Sequence, residues 1–428
     1  MTKERLSKID KVIGMIDEFK TVSILRNLIK IPSYTGEEKM KAEYVTKQME
    51  RTGLEVMETY IDYATGRRNV LGILRGNGTG KSMMLCAHLD THWPRLGDKG
   101  SHDARVEGDR IYGIGAGDSM APMASMFGAV DAIKRSGIPL KGDLIFLASA
   151  DEMCFKEGAR LLEENGIKAD YCVMGEATDL DIGIVHTGKA EIEIKTFGRS
   201  AYEIAGYAER MGQKVTNAVL SMNTIINHLR EMAKEDPYFQ VTHPLLPGKG
   251  AALNIGAIIG GSTGDGDPTR RPGKEPGQFG LAKRTPQFCY LRVGVRYWPG
   301  QTAEAFYETV KKWVEKAKAE DPSIEAELDL YLTHGNDPFE ISPEAEVVQI
   351  MKRSITHVLG KEPKCMGNIY STEGPYYQRA GMQFCWCSPG MMRIGTDEYV
   401  TRKELMDTAK IYTAAALHAY AEGALADG

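Results

Sequence analysis

The strongest constraint on this chain is an alternation: short, almost wholly apolar runs recur between stretches of helical periodicity, and several runs end on an acid or a histidine. Leu6, Ile9, Val12, Ile13, Ile16, Phe19, Ile24, Leu25, Leu28 and Ile29 stand at helical spacing and predict an amphipathic opening helix over residues 5–30. There follow LGILRG, KSMMLCAH, the helix-like MAPMASMFGAVDAIKRSG, GDLIFLASAD, the helix GARLLEENG and DYCVMGE. Apolar runs without polar alternation mark strands covered on both faces, so this part predicts an α/β domain with a mostly parallel sheet and helices on both faces.

From about Lys189 the pattern changes to the alternating AEIEIKTFG, a helix over about 210–234, and strands near LNIGAIIGG and YLRVGVRYW. This reads as a smaller α+β insert. Within it, GGSTGDGDPTRRPGKEPGQFGLAKRTP is rich in Gly, Pro and Arg and predicts a long mobile loop. The first pattern then returns: helices over about 301–319, 343–359 and from 402, with the strand-like IEAELDLYLT and MQFCWCSPG between them. The expected division is a catalytic domain of residues 1–188 and 300–428 interrupted by an insert of 189–299. A length of 428 residues suits two or three domains of about 150 each.

Composition narrows the function classes. With 53 Lys and Arg against 58 Asp and Glu, the net charge of -5 gives no reason to expect a nucleic-acid partner. Seven cysteines are an odd number, several lie in apolar runs, and they read as buried thiols in a reducing compartment. Cys385 and Cys387 have no second Cys/His pair at zinc-site spacing, so they are not read as a metal knuckle. The charged first twenty residues, and the lack of any run of about 18 apolar residues, predict a cytoplasmic protein without a membrane partner.

The polar residues at the run ends carry the chemistry. His88 and Asp90 end KSMMLCAHLD, Asp151 and Glu152 end GDLIFLASADE, and Glu176 ends DYCVMGE. In an open α/β sheet the carboxyl ends of parallel strands face one crevice, so three runs deliver acids and an imidazole to one place. IYGIGAGDSMAP adds Asp118 on a glycine-rich loop just ahead of a helix, where a plain helix cap is the bland alternative. GIGAGD is no dinucleotide loop, because its sixth position is Asp118 and EGDRIY before it is no buried strand. One imidazole with several carboxylates suits zinc, manganese or cobalt.

The order HLDT, GIGAGDSMAPM, ADE and GEAT, with IPSYTGEE, GRSAY and SPG...TDEYV around it, resembles the zinc-dependent family of glutamate carboxypeptidase, aminoacylase, acetylornithine deacetylase and succinyl-diaminopimelate desuccinylase. The likeness covers nearly the whole chain. It implies a catalytic domain split by a ferredoxin-like lid that dimerises, hence a homodimer or higher homo-oligomer, and hydrolysis of a C–N bond in a small carboxylate-bearing substrate. By position His88, Asp118 and Glu176 match metal ligands, Asp90 the acid that orients the histidine, and Glu152 the general base. Arg296, with Asn254 beside it in the insert, matches the grip on the substrate carboxylate.

Three departures bear on that match. Counting back from Gly158-Ala159-Arg160, the family's second glutamate, a ligand of the other metal, falls on Met153; its late histidine falls on Ile394; and Tyr202 stands where the insert carries an oxyanion-binding histidine. The expectation is therefore one divalent ion per chain, Mn or Zn. His92, His102 and His186 are candidate replacement ligands or substrate contacts, and Tyr202, His186, Met391 and Met392 candidates for flanking the substrate. A phenol carries no positive charge at neutral pH, so a substrate with its own electron sink is the specific expectation. Such a reaction is hydrolytic deamination of 5-nitroanthranilate to 5-nitrosalicylate and ammonia, and the chain resembles a branch of the family with that activity. A conventional N-acyl-amino-acid deacylase, dipeptidase or carboxypeptidase, and a non-catalytic carboxylate-binding relative, stay open.

Overall fold

The computed structural model describes residues 3–94, 101–199, 205–212, 214–248, 250–261, 285–332, 336–390 and 397–419. The chain divides into two compact units: residues 1–185 with 339–368 and 372–428, and residues 186–338 with 369–371. The helix Ala303–Glu320 and the strand Glu325–Leu332, expected in the catalytic domain, thus belong to the second unit, and the chain returns to the first at 339 rather than 300. The cause is packing: Phe306, Val310, Val314 and Ala317 of that helix share a core with Leu291, Val293 and Val295.

In the first unit the main sheet runs in the order Glu55–Asp62, Arg67–Leu74, Leu144–Ser149, Met83–His88, Tyr171–Ala177, Gln383–Ser388, Ile182–His186 and Phe339–Glu340. Parallel pairing joins the four central strands from Leu144–Ser149 to Gln383–Ser388, whereas pairing beyond them to Arg67–Leu74, Glu55–Asp62 and Ile182–His186 is antiparallel. Strands alternate their side chains across the sheet. Leu85, Phe146, Val173 and Cys385 accordingly enter one core with Phe127, Ile350 and Tyr412. Cys86, Leu147, Cys172 and Trp386 enter a second core with Ala159, Leu162 and Tyr377 on the opposite face. Two covered faces explain why these strands read as unbroken apolar runs.

The opening helix is two helices, Lys3–Ile13 and Glu18–Lys30. Asp17 caps the second by accepting from the Lys20 amide at 2.9 Å, an interruption that apolar spacing alone does not register. All seven cysteines are free; Cys154 is exposed and Cys365 half-buried, against the expectation of burial, while the other five are buried.

The second unit carries an antiparallel sheet in the order Ala252–Gly261, Phe288–Tyr297, Gly188–Phe197 and Glu325–Leu332. Alternate residues Cys289, Leu291, Val293, Val295 and Tyr297 are buried against the helices Ala218–Glu235 and Ala303–Glu320. Most of the Gly- and Arg-rich loop, residues 262–284, lies outside the described residues.

Candidate metal centre

The central parallel strands determine the position of the candidate ligands. His88 is the last residue of Met83–His88, and Glu176 lies near the end of Tyr171–Ala177, at the same edge of the sheet. Asp118 arrives on the turn 116–120 before the helix Ala121–Ser136. Glu398 fastens this turn: its carboxylate accepts from the amides of Gly115 at 2.9 Å, Gly117 at 2.8 Å and Asp118 at 3.2 Å. Gly115 takes a φ of +79° there, a conformation glycine adopts without steric cost. The Asp118–Ser119 peptide is cis, and the Ser119 hydroxyl accepts from the His88 amide at 3.0 Å.

His88 Nε2 lies 2.8 Å from Asp118 Oδ1 and 3.4 Å from Glu176 Oε1. One donor atom from each of the three residues falls within a span of 4.8 Å, and among the described residues no other group of three His, Cys, Asp or Glu does so. On the far side of the ring, Nδ1 donates to the Asp90 backbone carbonyl at 2.8 Å and stands 3.6 Å from the Asp90 carboxylate. With Nδ1 as the N–H, Nε2 keeps its lone pair for a cation. Asp90 is tied down in turn by Thr35 Oγ1 at 2.8 Å and by the amides of Glu152 at 3.1 Å and Met153 at 3.0 Å.

The electrostatics favour a cation among these side chains. Burial and the nearby Asp118 charge push the Glu176 carboxyl well above the usual range. Burial opposes a charged His88, yet Asp118, Asp90 and Glu176 outweigh it and raise the imidazole well above its ordinary value. Asp90, despite full burial, is held below the usual carboxylate range by His88 and its other donors. Two enclosed carboxylates and one imidazole, all nitrogen and oxygen donors, fit a borderline or hard divalent ion.

Glu152 sits on a loop wound around Asp151. The Asp151 carboxylate accepts from Arg67 at 2.7 Å and from the amides of Phe155 at 3.1 Å and Glu157 at 3.3 Å. Gly158 closes the loop, where a Cβ would stand 2.4 Å from the Ala150 carbonyl oxygen. Glu152 itself is 5% exposed, and the Lys156 ammonium lies 3.1 Å from its Oε1. Sequence reasoning missed Lys156, Glu398 and Thr35; the four-residue interval from Glu152 to Lys156 is visible in the sequence, but nothing there says that both are buried.

The remaining candidates divide. His102 is bound to Tyr34 and to the Ile29 carbonyl, and His92 lies 3.8 Å from Glu398, so neither joins the His88 group. Arg296 and Asn254 occupy one face of the second unit's sheet: Arg296 pairs with Ala252, and Asn254 with Gly294 two residues along. Burial draws the Arg296 guanidinium below its ordinary value, and its Nη1 has no hydrogen-bond partner among the described residues. His186 is buried, its Nδ1 3.1 Å from the Thr187 carbonyl oxygen. Tyr202, Met391, Met392 and Ile394 lie outside the described residues.

The chain is similar in sequence and in fold to several known proteins. An acetylornithine deacetylase of Proteus mirabilis is 25% identical over 376 residues, 83% of this chain and 85% of that one. An N-formyl-4-amino-5-aminomethyl-2-methylpyrimidine deformylase of Halalkalibacterium halodurans is 22% identical over 94% of both chains. The fold matches aminopeptidase PepT of Bacillus cereus with a TM-score of 0.74 at 20% identity, over 95% of this chain and all of the other. Bacillus subtilis YXEP, described as a dinuclear metal-binding peptidase, matches with a TM-score of 0.64 at 13% identity over 94% of this chain and 97% of its own. Residues 84–418 match the model of peptidase family M20/M25/M40, and the chain belongs to that family of metal-dependent hydrolases acting on C–N bonds.

Proposed function

We propose that this protein hydrolyses the C–N bond of a small carboxylate-bearing substrate, an N-acyl amino acid or a dipeptide, with one divalent ion per chain, Mn or Zn. The observation that carries the reading is the buried His88–Asp118–Glu176 triplet, with Glu152 close enough to raise the Glu176 carboxyl further. His88, Asp118 and Glu176 would hold the ion, which when bound acts as a Lewis acid and makes water a stronger acid. Glu152 takes the proton from the attacking water and returns it to the departing amine. Asp90 keeps His88 in the tautomer that presents Nε2. Arg296, assisted by Asn254, takes the substrate carboxylate, a use that suits a guanidinium with a buried nitrogen that has no hydrogen-bond partner among the described residues.

A second reading, deamination of 5-nitroanthranilate, is favoured by one observation. Met153, at the position of the family's second metal-binding glutamate, offers a thioether there and spends its backbone amide on Asp90. A nitro-activated ring holds the negative charge of the adduct itself and asks less of an oxyanion site. The test is product release by metal-stripped protein before and after Mn or Zn is added, with N-acyl amino acids, dipeptides and 5-nitroanthranilate run in parallel. Turnover of the acyl or peptide substrates supports the first reading, and ammonia from the nitroaromatic alone replaces it with the second. Elemental analysis of metal-saturated protein tests the stoichiometry, since two tightly held ions per chain would refute it. The further expectations are a homodimer or higher homo-oligomer formed through the insert and a cytoplasmic location; light scattering of the purified chain tests the first.

A further inference from the structure

Lys156 occupies an unusual place for a lysine. Its side chain is 3% exposed, and its backbone is left-handed, with a φ of +57°, at the start of the helix Glu157–Glu164. Few buried lysines escape pairing, because an enclosed ammonium without partners costs several kcal/mol. Here Nζ donates to the Glu152 backbone carbonyl at 2.7 Å and forms an ion pair with Glu152 Oε1 at 3.1 Å, a contact of charge rather than of hydrogen-bond geometry, since Oε1 has no hydrogen-bond partner among the described residues. Burial works against the charge, but Glu152 first, then Glu373 and Glu176, outweigh it and raise the ammonium above its ordinary value. Lys156 thus places its ammonium inside the carboxylate cluster, four residues from Glu152 on a loop tied by the Asp151 contacts to Arg67 and the Phe155 amide and closed at Gly158.

We propose that Lys156 is a positioning residue whose ammonium, ion-paired with the Glu152 carboxylate and anchored on the Glu152 backbone carbonyl, supplies beside the His88–Asp118–Glu176 centre the positive charge that a second metal ion provides in a dinuclear site. It holds the Glu152 carboxylate in one place and keeps it from becoming a metal ligand. This inference rests on the one-ion reading above, but it is tested in part without turnover. Metal affinity is measured by chelator competition on the full chain, as wild type, Lys156→Met and Lys156→Arg, with Mn and with Zn. Removing a like charge next to the centre should tighten divalent binding about tenfold in Lys156→Met, whereas Lys156→Arg should bind as wild type. With a substrate the wild type turns over, Lys156→Met should lose about 100-fold in kcat with KM within about threefold, and Lys156→Arg should recover most of the loss. Unchanged or weaker metal binding in Lys156→Met, equal impairment of both variants, or two tightly held ions in the wild type would overturn the proposal. If Lys156→Met does not fold, Lys156→Gln takes its place in both measurements. Silence of the wild type on every substrate counts against the proposed function alone, because the affinity comparison still judges Lys156.

Discussion

The two units meet the demand for burial in different ways, and the difference decides where each can carry polar side chains. In the first unit the strands Met83–His88, Leu144–Ser149 and Tyr171–Ala177 are buried at every residue, between two cores. The sheet faces are then full, and polar residues fit only at strand ends and in the loops beyond, where they meet in a low-dielectric enclosure. In the second unit Phe288–Tyr297 buries every other residue, and the alternate face carries Tyr290, Arg292, Gly294 and Arg296. A sheet with one face free of its own core can display a row of polar side chains without distorting the backbone. On the proposed reading, the strand ends of the first unit serve proton transfer and metal binding, and the sheet face of the second serves substrate grip.

The largest effects should break the first unit's side of that comparison. Glu152→Gln is expected to lower kcat by about 10²- to 10⁴-fold with metal content unchanged, checked by kinetics alongside elemental analysis. His88→Ala should instead abolish tight metal binding and activity together; stoichiometric metal in that variant would refute the ligand assignment. Next in size, Arg296→Met should raise KM about 10- to 100-fold and leave kcat within a few-fold, as loss of a charged hydrogen bond to the substrate requires. A fall in kcat with KM unchanged would contradict the division between the units.

The smallest expected effect concerns stability. Glu373 is buried, accepts from Tyr377 at 2.6 Å and Ser149 at 3.0 Å, and is pushed up to about 7 by burial and by the Glu152 charge. Its folded-state value lies above its unfolded one. Its contribution to stability is thus complete below about pH 4.5 and is lost as pH rises through about 7. Glu373→Gln should flatten that dependence and gain up to roughly 3 kcal/mol relative to wild type between pH 5 and pH 8, read from denaturant unfolding at the two pH values. An identical pH slope in both proteins would show that Glu373 titrates normally.

Much of the site was legible because its residues sit where the pattern changes. His88 and Glu176 end apolar runs, Asp118 precedes a helix in a glycine-rich loop, and Glu152 is located by its distance from Gly158. Arg296 and Asn254 fall on one face because alternation and pairing register together assign faces. Lys156 and Glu373 were not legible: charged residues are solvated in most contexts, and only folding encloses these two. The division between the units was half legible, since the helix Ala303–Glu320 is amphipathic in either home and its spacing does not say which apolar partner it meets.

The sequence by itself determined the sheet type of each unit, because burial on two faces or on one writes unbroken or alternating apolarity into the strands. It also determined which polar residues lie at strand ends. The tertiary structure alone decided which charges face one another. The three amides gathered by Glu398 and the enclosure of Lys156 and Glu373 depend on elements brought together by strands distant in sequence, and no local propensity encodes such meetings.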